Sequence, residues 1–481
     1  MTQAIYALDT VTLAKFIRTG QLSPTEVVEA ALHRIDWLNP QLNAFCTLVP
    51  EQARAEAKRI EAGLLAGEDM GPLAGVPVGI KDLIYTQGIR TTFGSVAYER
   101  FVPDEDDIVV ARLRAAGAIV LGKTNTSELG YSAVTHNNLF GYSYNPWNPA
   151  LTPGGSSGGS AVAVATGMAS LCLGSDGGGS IRIPSSFCGL YGIKPSMGRV
   201  PAYPGCRDER YPGISSWDSL EHIGPMTRTV ADSALALSVL VGPDMRDRHS
   251  IPSHVNWQDI LKGDLCSDMK GLRIAYSEDW GYMAVDSAVR EIVQKAVRVF
   301  EQDLGCVVEA ADPGWADPYD DFAALIALDS DLVGMRKMIE QWGDRIEPYV
   351  RDLVLTNWRA EQFTTALMTR KAICNRMWKL MQRYDLLLTP TVSVPPFSYK
   401  LLTPPVVAGR PQRVADWLGF TSPLNLTGQP AASIPAGQTI DGLPVGLQIV
   451  GRHLDDALVL RASAAYEQVR PWGDRLPKLV R

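Results

Sequence analysis

Residues 129–175 contain no Asp, Glu, Lys or Arg, a run of 47 uncharged positions in a 481-residue chain that is 20% charged overall. Folded domains seldom expose a surface that long without charge. A membrane span is one explanation, but the apolar part of the run, residues 161–173, is about 13 residues long, against the roughly 20 needed to cross a bilayer. The remainder is NNLFGYSYNPWNP and Gly/Ser-rich sequence. The run therefore reads as the interior of a large domain.

Composition agrees with a globular chain. Hydrophobic residues make up 46%, enough for a sizeable core, and the net charge of −7 leaves no basic face for nucleic acid. The length allows two or three domains of about 150 residues, or one large α/β domain. Seven cysteines are widely spaced with no CxxC, and none of the six histidines falls in HExxH or a similar ligand spacing. Neither a disulfide framework nor a metal site is expected, and a reducing, cytoplasmic location is. The opening MTQAIYALDTVTLAKFIRTG has no basic segment followed by an apolar stretch, so no signal peptide is expected.

Helix and strand patterns alternate along the chain. Ser23-Pro24-Thr25-Glu26 carries the residues of a capping box with proline at the first helical position, and Val27, Val28, Ala31, Leu32 and Ile35 follow at helical spacing. A second amphipathic helix is predicted in the fifties and early sixties. LAGVPVGIKD (73–82) reads as a buried strand, and residues 110–125 as helix, glycine turn and strand. Further strands are predicted at 269–277, after Gly305, at 384–395 and at 443–451, with helices at 288–305 and 455–468. This alternation predicts an α/β fold, and the lack of a linker or repeat predicts a single domain. Residues 200–221 read as an aromatic loop containing Tyr203, Tyr211 and Trp217. Trp315, Trp342, Trp358 and Trp378 are expected to be core rather than ligand contacts.

Two glycine-serine clusters remain: PGGSSGGS (153–160) and DGGGS (176–180). A flexible linker fits poorly, because the small, apolar AVAVATGMASLCLG follows at once. A phosphate loop is suggested by residues 117–124, GAIVLGKT, which match GxxxxGKT letter for letter. The residues between the glycines are apolar strand sequence, however, and cannot form a loop of N–H groups around phosphate. A catalytic reading accounts for more. Glycines let the backbone turn successive N–H groups toward one point, and serine hydroxyls stand beside them. No GxSxG surrounds Ser180 and no histidine is an obvious base. Lys81, at the end of VPVGIKD, is a candidate, since burial lowers a lysine pKa. From the residues alone a surface turn at Lys81-Asp82 with an ordinary ion pair is slightly favoured, because most lysines are solvated.

The sequence resembles the amidase signature family. The resemblance rests on AGVPVGIKD, GAIVLGKTNTSELG, NPWNPALTPGGSSGGSAVAVATG, GSDGGGSIRIPSSFCGLYGIKP, HIGPMTRTVADSA, LNLTGQPAASIPAG and GLPVGLQIVG. It implies one amidase domain over 1–481, with a central mixed β-sheet flanked by helices. The signature core would span about 73–240 and be completed by about 384–468, with a variable, substrate-shaping region at about 241–383. Lys81 takes the place of the family's lysine base, Ser156 that of the bridging serine held through a cis peptide, and Ser180 that of the nucleophile. The oxyanion hole would be the backbone N–H groups of Gly177, Gly178, Gly179 and Ser180, with Asp176 and Arg182 as supports. Gly177 departs from the family pattern, where a branched residue is frequent, but a backbone donor survives the change. Gly130 and Tyr131 either line the substrate pocket or simply pack in the core.

The implied reaction is hydrolysis of a carboxylic amide through a Ser180 acyl-enzyme, with carbamates and esters as further substrates. It needs neither cofactor nor metal. A stand-alone enzyme acting on a small-molecule amide, possible as a homodimer and with no nucleic-acid or membrane partner, is preferred. The alternative is the glutamine-hydrolysing A-type subunit of a tRNA-dependent amidotransferase complex, and a third reading is a binding module without activity. The apolar, aromatic residues 200–217 favour the first as the rim of a pocket.

Overall fold

Ser23 caps the first long helix, Pro24–Leu42: its hydroxyl accepts the Glu26 N–H at 3.1 Å while Glu26 accepts the Ser23 N–H at 2.8 Å. The same helix buries Val27, Val28, Ala31, Leu32 and Ile35, the stripe that the spacing predicts. With the helix Pro50–Leu65 it covers the start of a large sheet, Val28, Leu32 and Ile35 sharing one apolar cluster with Ala53, Ala57 and Ile60. The computed structural model describes residues 5–205 and 217–480, so Cys206 and Tyr211 lie outside the described residues.

Thirteen strands are present among the described residues. In chain order they are β1 (Phe45–Leu48), β2 (Pro77–Lys81), β3 (Ile119–Thr124), β4 (Leu171–Asp176), β5 (Tyr191–Lys194), β6 (His222–Thr227), β7 (Arg273–Tyr276), β8 (Val307–Ala310), β9 (Leu386–Pro390), β10 (Val406–Val407), β11 (Arg410–Pro411), β12 (Ala431–Gln438) and β13 (Pro444–Gly451). Eleven form one mixed sheet in the order β1-β3-β2-β4-β6-β5-β12-β13-β9-β7-β8, and β10 and β11 make a separate hairpin. The result is a single-domain α/β fold whose central sheet is flanked by helices. β2 lies between β3 and β4, parallel to both, with Ile80 opposite Leu173. A strand buried on both faces reads as a continuous apolar run, and every residue of β2, β3 and β4 is buried. Residues 241–383 add β7 and the edge strand β8 at one end of the sheet, together with the helices Tyr319–Asp329, Leu332–Trp342, Pro348–Leu355 and Ala360–Met381.

The uncharged run divides in two. Residues 152–175 are buried throughout, whereas 131–151 form a loop of mixed exposure. That loop does without charge because its asparagines bond inward: Asn137 donates to Asn125 Oδ1 and Thr126 O, and Asn145 to Thr152 O and Phe187 O. The helix expected to reach Gly305 stops at Gln302, because the N–H groups of Leu304 and Cys306 turn back to Val299 O and Phe300 O. Trp378 departs from the expected core, being 60% exposed on the outer face of its helix. The phosphate-loop match at 117–124 is β3 itself. Lys123 is fully buried and donates to Ile84 O, Thr86 Oγ1 and Thr91 Oγ1, leaving no loop for phosphate.

Among the described residues no helix is long and apolar enough to cross a membrane. No group of three or more His, Cys, Asp or Glu could hold a metal among them either.

Candidate active site

Lys81 is the last residue of β2, and β4 runs beside it in the same direction. Both strands therefore deliver their C-terminal ends to one edge of the sheet, where crevices form in α/β folds. The Lys81 side chain is fully buried. Its Nζ donates to Ser156 Oγ at 2.7 Å, Ser175 Oγ at 3.0 Å and Ser175 O at 3.2 Å. Burial lowers its pKa from 10.5 to about 7, with Glu221 and Asp176 acting the other way. This settles the two readings of the Lys81-Asp82 pair: the amine faces inward. Asp82 is buried too, its Oδ2 accepting the Thr92 N–H and hydroxyl.

Ser156 sits just before the helix Gly158–Ala165, and the Gly155–Ser156 peptide is cis. Ser180 follows β4 by four residues and lies beside Ser156, Ser175, Gly177, Gly130 and Glu221 in a small chamber. Among the described residues no hydrogen bond links the Ser156 and Ser180 hydroxyls. Hydrogen bonds of this kind often close only around a bound substrate.

The turn between β4 and Ser180 is built by the Asp176 carboxylate. It accepts the N–H of Gly179 at 2.7 Å, of Ile181 at 3.2 Å and of Arg182 at 3.4 Å. The Arg182 guanidinium grips it through Nε at 2.9 Å and Nη2 at 2.8 Å, and Asn425 donates to Oδ1 at 3.0 Å. Burial opposes the charge on Asp176, yet Arg182, with Lys194 and Asn425 behind it, holds the carboxyl well below its ordinary value. Gly179 adopts φ +131°, a conformation open to glycine, and a Cβ there would lie 2.3 Å from Thr421 Oγ1. The consequence is a division of the donors. The Gly179 N–H is turned into Asp176 and removed from the expected set of four. The N–H groups of Gly177, Gly178 and Ser180 make no hydrogen bond among the described residues.

Ser180 also opens onto a larger cavity of about 220 Å³. Gly130 and Tyr131 line it, which favours the pocket reading over the core one. Trp217, Phe322, Ile326, Met283 and Leu418 complete an apolar wall, and Arg410, Arg413, Asp317 and Asp416 also line the cavity. Arg413 is already paired with Asp317 and Asp416. Of the residues expected at an aromatic rim, Trp217 lines the cavity; Tyr203 stacks under Arg246 instead. None of Trp315, Trp342, Trp358 and Trp378 reaches it.

Three contributors escape a reading of the sequence alone. Ser175 holds Lys81 and stands in GSDGGGS one residue before Asp176, so its position is visible there but its role is not. Asn425 and Thr421 come from more than 240 positions further on: Asn425 donates to Asp176 O at 2.7 Å and Thr421 to Gly178 O at 2.7 Å. LNLTGQP, which contains Asn425, is legible only as a family segment.

Known proteins resemble this chain over nearly its whole length. The family model described as Amidase matches residues 26–460. An acylamidase from Rhodococcus erythropolis is 38% identical over 99% of this chain and 98% of its own. The A-type chain of a glutamyl-tRNA(Gln) amidotransferase from Chloroflexus aggregans is 35% identical over 97% of each. A crystal structure of a bacterial aryl acylamidase of the amidase signature family superposes with a TM-score of 0.89 at 31% identity, covering 98% of both chains. The chain belongs to the amidase signature family and is an amide hydrolase.

Proposed function

We propose that this amide hydrolase works alone on a small-molecule amide, with Ser180 as nucleophile, Ser156 as proton bridge and Lys81 as base. The observation that carries the reading is the buried Lys81 Nζ, 2.7 Å from Ser156 Oγ and with a pKa lowered to about 7. An amine that is neutral near pH 7 can accept a proton, whereas an ordinary lysine is charged there.

Neutral Lys81 draws the proton from Ser156 Oγ, and Ser156 takes that of Ser180 as the Ser180 Oγ bonds to the carbonyl carbon. The carbonyl π electrons move to oxygen, and the oxyanion is met by the N–H groups of Gly177, Gly178 and Ser180. One such donor is worth about 3–4 kcal/mol in the transition state. Collapse breaks the carbon–nitrogen bond, and the Lys81 proton passes through Ser156 to the departing amine. A water molecule then gives its proton to the same relay and attacks the acyl ester, releasing the acid and restoring Ser180. Esters and carbamates present the same carbonyl, and they are proposed as further substrates.

The apolar wall supports the stand-alone reading over a glutaminase component of a larger complex. Glutamine carries an ammonium and a carboxylate that need charged partners; of the charged residues at the cavity, Arg413, Asp317 and Asp416 are already paired with one another and Arg410 donates to Tyr282 O. A homodimer is part of the proposal, supported by the exposed Leu367 and Trp378 on the helix Ala360–Met381. Sedimentation of the pure protein reads it. Purified wild type and Ser180→Ala, assayed on aryl amides, aliphatic amides, esters, carbamates and glutamine, test the whole reading. Turnover of neutral amides that disappears in the variant supports it, and turnover of glutamine alone refutes it.

A further inference from the structure

Trp217 occupies the space that a side chain on residue 177 would fill. A Cβ built on Gly177 would lie 1.9 Å from Trp217 Cε3, 2.5 Å from Cζ3 and 3.1 Å from Cδ2. Carbon atoms in good contact sit about 3.5–4.0 Å apart, so even alanine at 177 would push the indole away. Gly178 repeats the relationship, with a Cβ there falling 2.9 Å from Phe322 Cζ. Two aromatic rings thus rest on two glycines of the turn that carries Ser180, and both line the cavity. Trp217 also lines the small chamber with Ser156 and Ser180.

The indole is held firmly. Its ring meets Tyr131 edge-on at 5.2 Å between centroids, and the Trp217 backbone carbonyl accepts the N–H groups of Leu220 and Glu221, both at 2.8 Å. Two residues on, the Ser219 N–H and hydroxyl donate to Asp329, while Arg370 donates to Ser219 Oγ at 2.7 Å and Ser219 O at 2.8 Å. Trp217 itself has φ +71°, uncommon for a bulky residue and sustained only where the surroundings dictate it. Its Nε1 is buried with no partner among the described residues, so packing sets the place of the ring.

We propose that Trp217, admitted by Gly177, is the specificity-determining residue of this site, and that it selects amides with a flat aromatic group flanking the scissile carbon–nitrogen bond. The inference rests on the hydrolase reading above. Trp217, Tyr131 and Phe322 offer ring faces and edges beside Ser180, and an aromatic substituent gains offset or edge-on contacts that an aliphatic chain of equal area does not. The ring belongs to either the acyl or the amine half of the substrate, since both flank the same bond.

The test compares kcat/KM for acetanilide, benzamide and N-butylacetamide in wild type, Trp217→Ala, Trp217→Phe, Gly177→Ala and the double variant Gly177→Ala/Trp217→Ala. Trp217→Ala is expected to lower the aryl-to-aliphatic ratio by about tenfold or more, and Trp217→Phe to retain most of it. Acetanilide or benzamide, whichever loses more, identifies the half that carries the ring. Gly177→Ala is expected to lose activity that the double variant partly recovers, because removing the indole relieves the clash. A Trp217→Ala ratio equal to that of wild type, or strictly additive losses at 177 and 217, would overturn the inference. If Trp217→Ala does not fold, Trp217→Leu, which keeps apolar bulk without a ring face, takes its place: a lowered aryl-to-aliphatic ratio there supports the inference and a wild-type ratio overturns it. Ser180→Ala separates the two levels: turnover surviving there sinks the hydrolase reading, whereas a dead Ser180→Ala with an unchanged aryl preference in the Trp217 variants sinks this inference alone.

Discussion

Lys81 Nζ and Ser156 Oγ lie 2.7 Å apart at a point where the amine is fully buried. The position is paid for in stability and returned as chemistry. Desolvation destabilises the ammonium, and the neutral amine that results is the species able to accept a proton at neutral pH. β2 places the lysine there because it is buried along its whole length and ends at the edge where β4 releases the Ser180 turn.

In the proposed relay, Ser180→Ala removes the attacking oxygen, and Ser156→Ala interrupts the proton path to Lys81. Each is expected to lower kcat by at least about a thousandfold. Groups that act as a unit are not additive, so the double variant should be no worse than Ser180→Ala alone. Steady-state rates on one good substrate read the effect, and an independent, multiplying loss would deny that the two serines share a step.

Lys81→Met abolishes turnover and changes how stability depends on pH. The folded-state pKa of about 7 lies below the ordinary 10.5. Between these values the unfolded chain holds a proton that the folded chain lacks, so wild-type stability rises with pH across this window and the penalty is complete below about pH 7. Methionine carries no such penalty. The stability of Lys81→Met relative to wild type should therefore be more favourable at pH 6 than at pH 10 by roughly 4 kcal/mol. Urea unfolding at both pH values measures it, and a pH-independent difference would contradict the buried amine.

Ser175→Ala keeps the Ser175 carbonyl but deletes a hydroxyl that accepts from the Lys81 ammonium at 3.0 Å. Losing a partner of the charged form lowers the lysine pKa further. The rising limb of the pH–rate profile should move to lower pH by about half to one unit, with activity retained at neutral pH. A shift to higher pH would show that the hydroxyl serves the neutral form.

Asp176→Asn leaves the buried Arg182 guanidinium without its carboxylate and turns one of the two acceptor oxygens into an NH2, so that either the Gly179 N–H or the Ile181 and Arg182 N–H groups lose their acceptor. Breaking a buried pair costs about 3–5 kcal/mol, and misdirecting the donors near Ser180 should lower kcat by about a hundredfold or more. Because the Asp176 carboxyl is held below its ordinary value, its contribution to stability is present above that ordinary value and fades as pH falls toward the folded-state one. Thermal melts at neutral and acidic pH should converge for wild type and Asp176→Asn as acid is added.

The parts of the fold with strong local signals are legible in the sequence. The Ser23 capping box, the apolar β2 and β3, and the strand and helix after residue 443 all lie where their patterns put them. β6, with sequence HIGPMT, gives no strand signal because glycine and proline interrupt the pattern of a central strand, although it pairs with both β4 and β5. At the site, the glycine-serine clusters mark the turn, but burial of Lys81 becomes evident only once β3 and β4 flank β2. The removal of the Gly179 N–H by Asp176 and the seating of Trp217 on Gly177 are three-dimensional facts without a one-dimensional signal.

The pH dependence of kcat/KM for wild-type enzyme on a neutral amide tests the central claim most directly, because such a substrate does not itself titrate near the lysine. A single-proton limb rising with pH and centred near 7, falling to about one per cent of the plateau at pH 5, is the expected result. A profile flat from pH 5 to 9, or a limb centred near the ordinary lysine value, would mean that Lys81 is not the base.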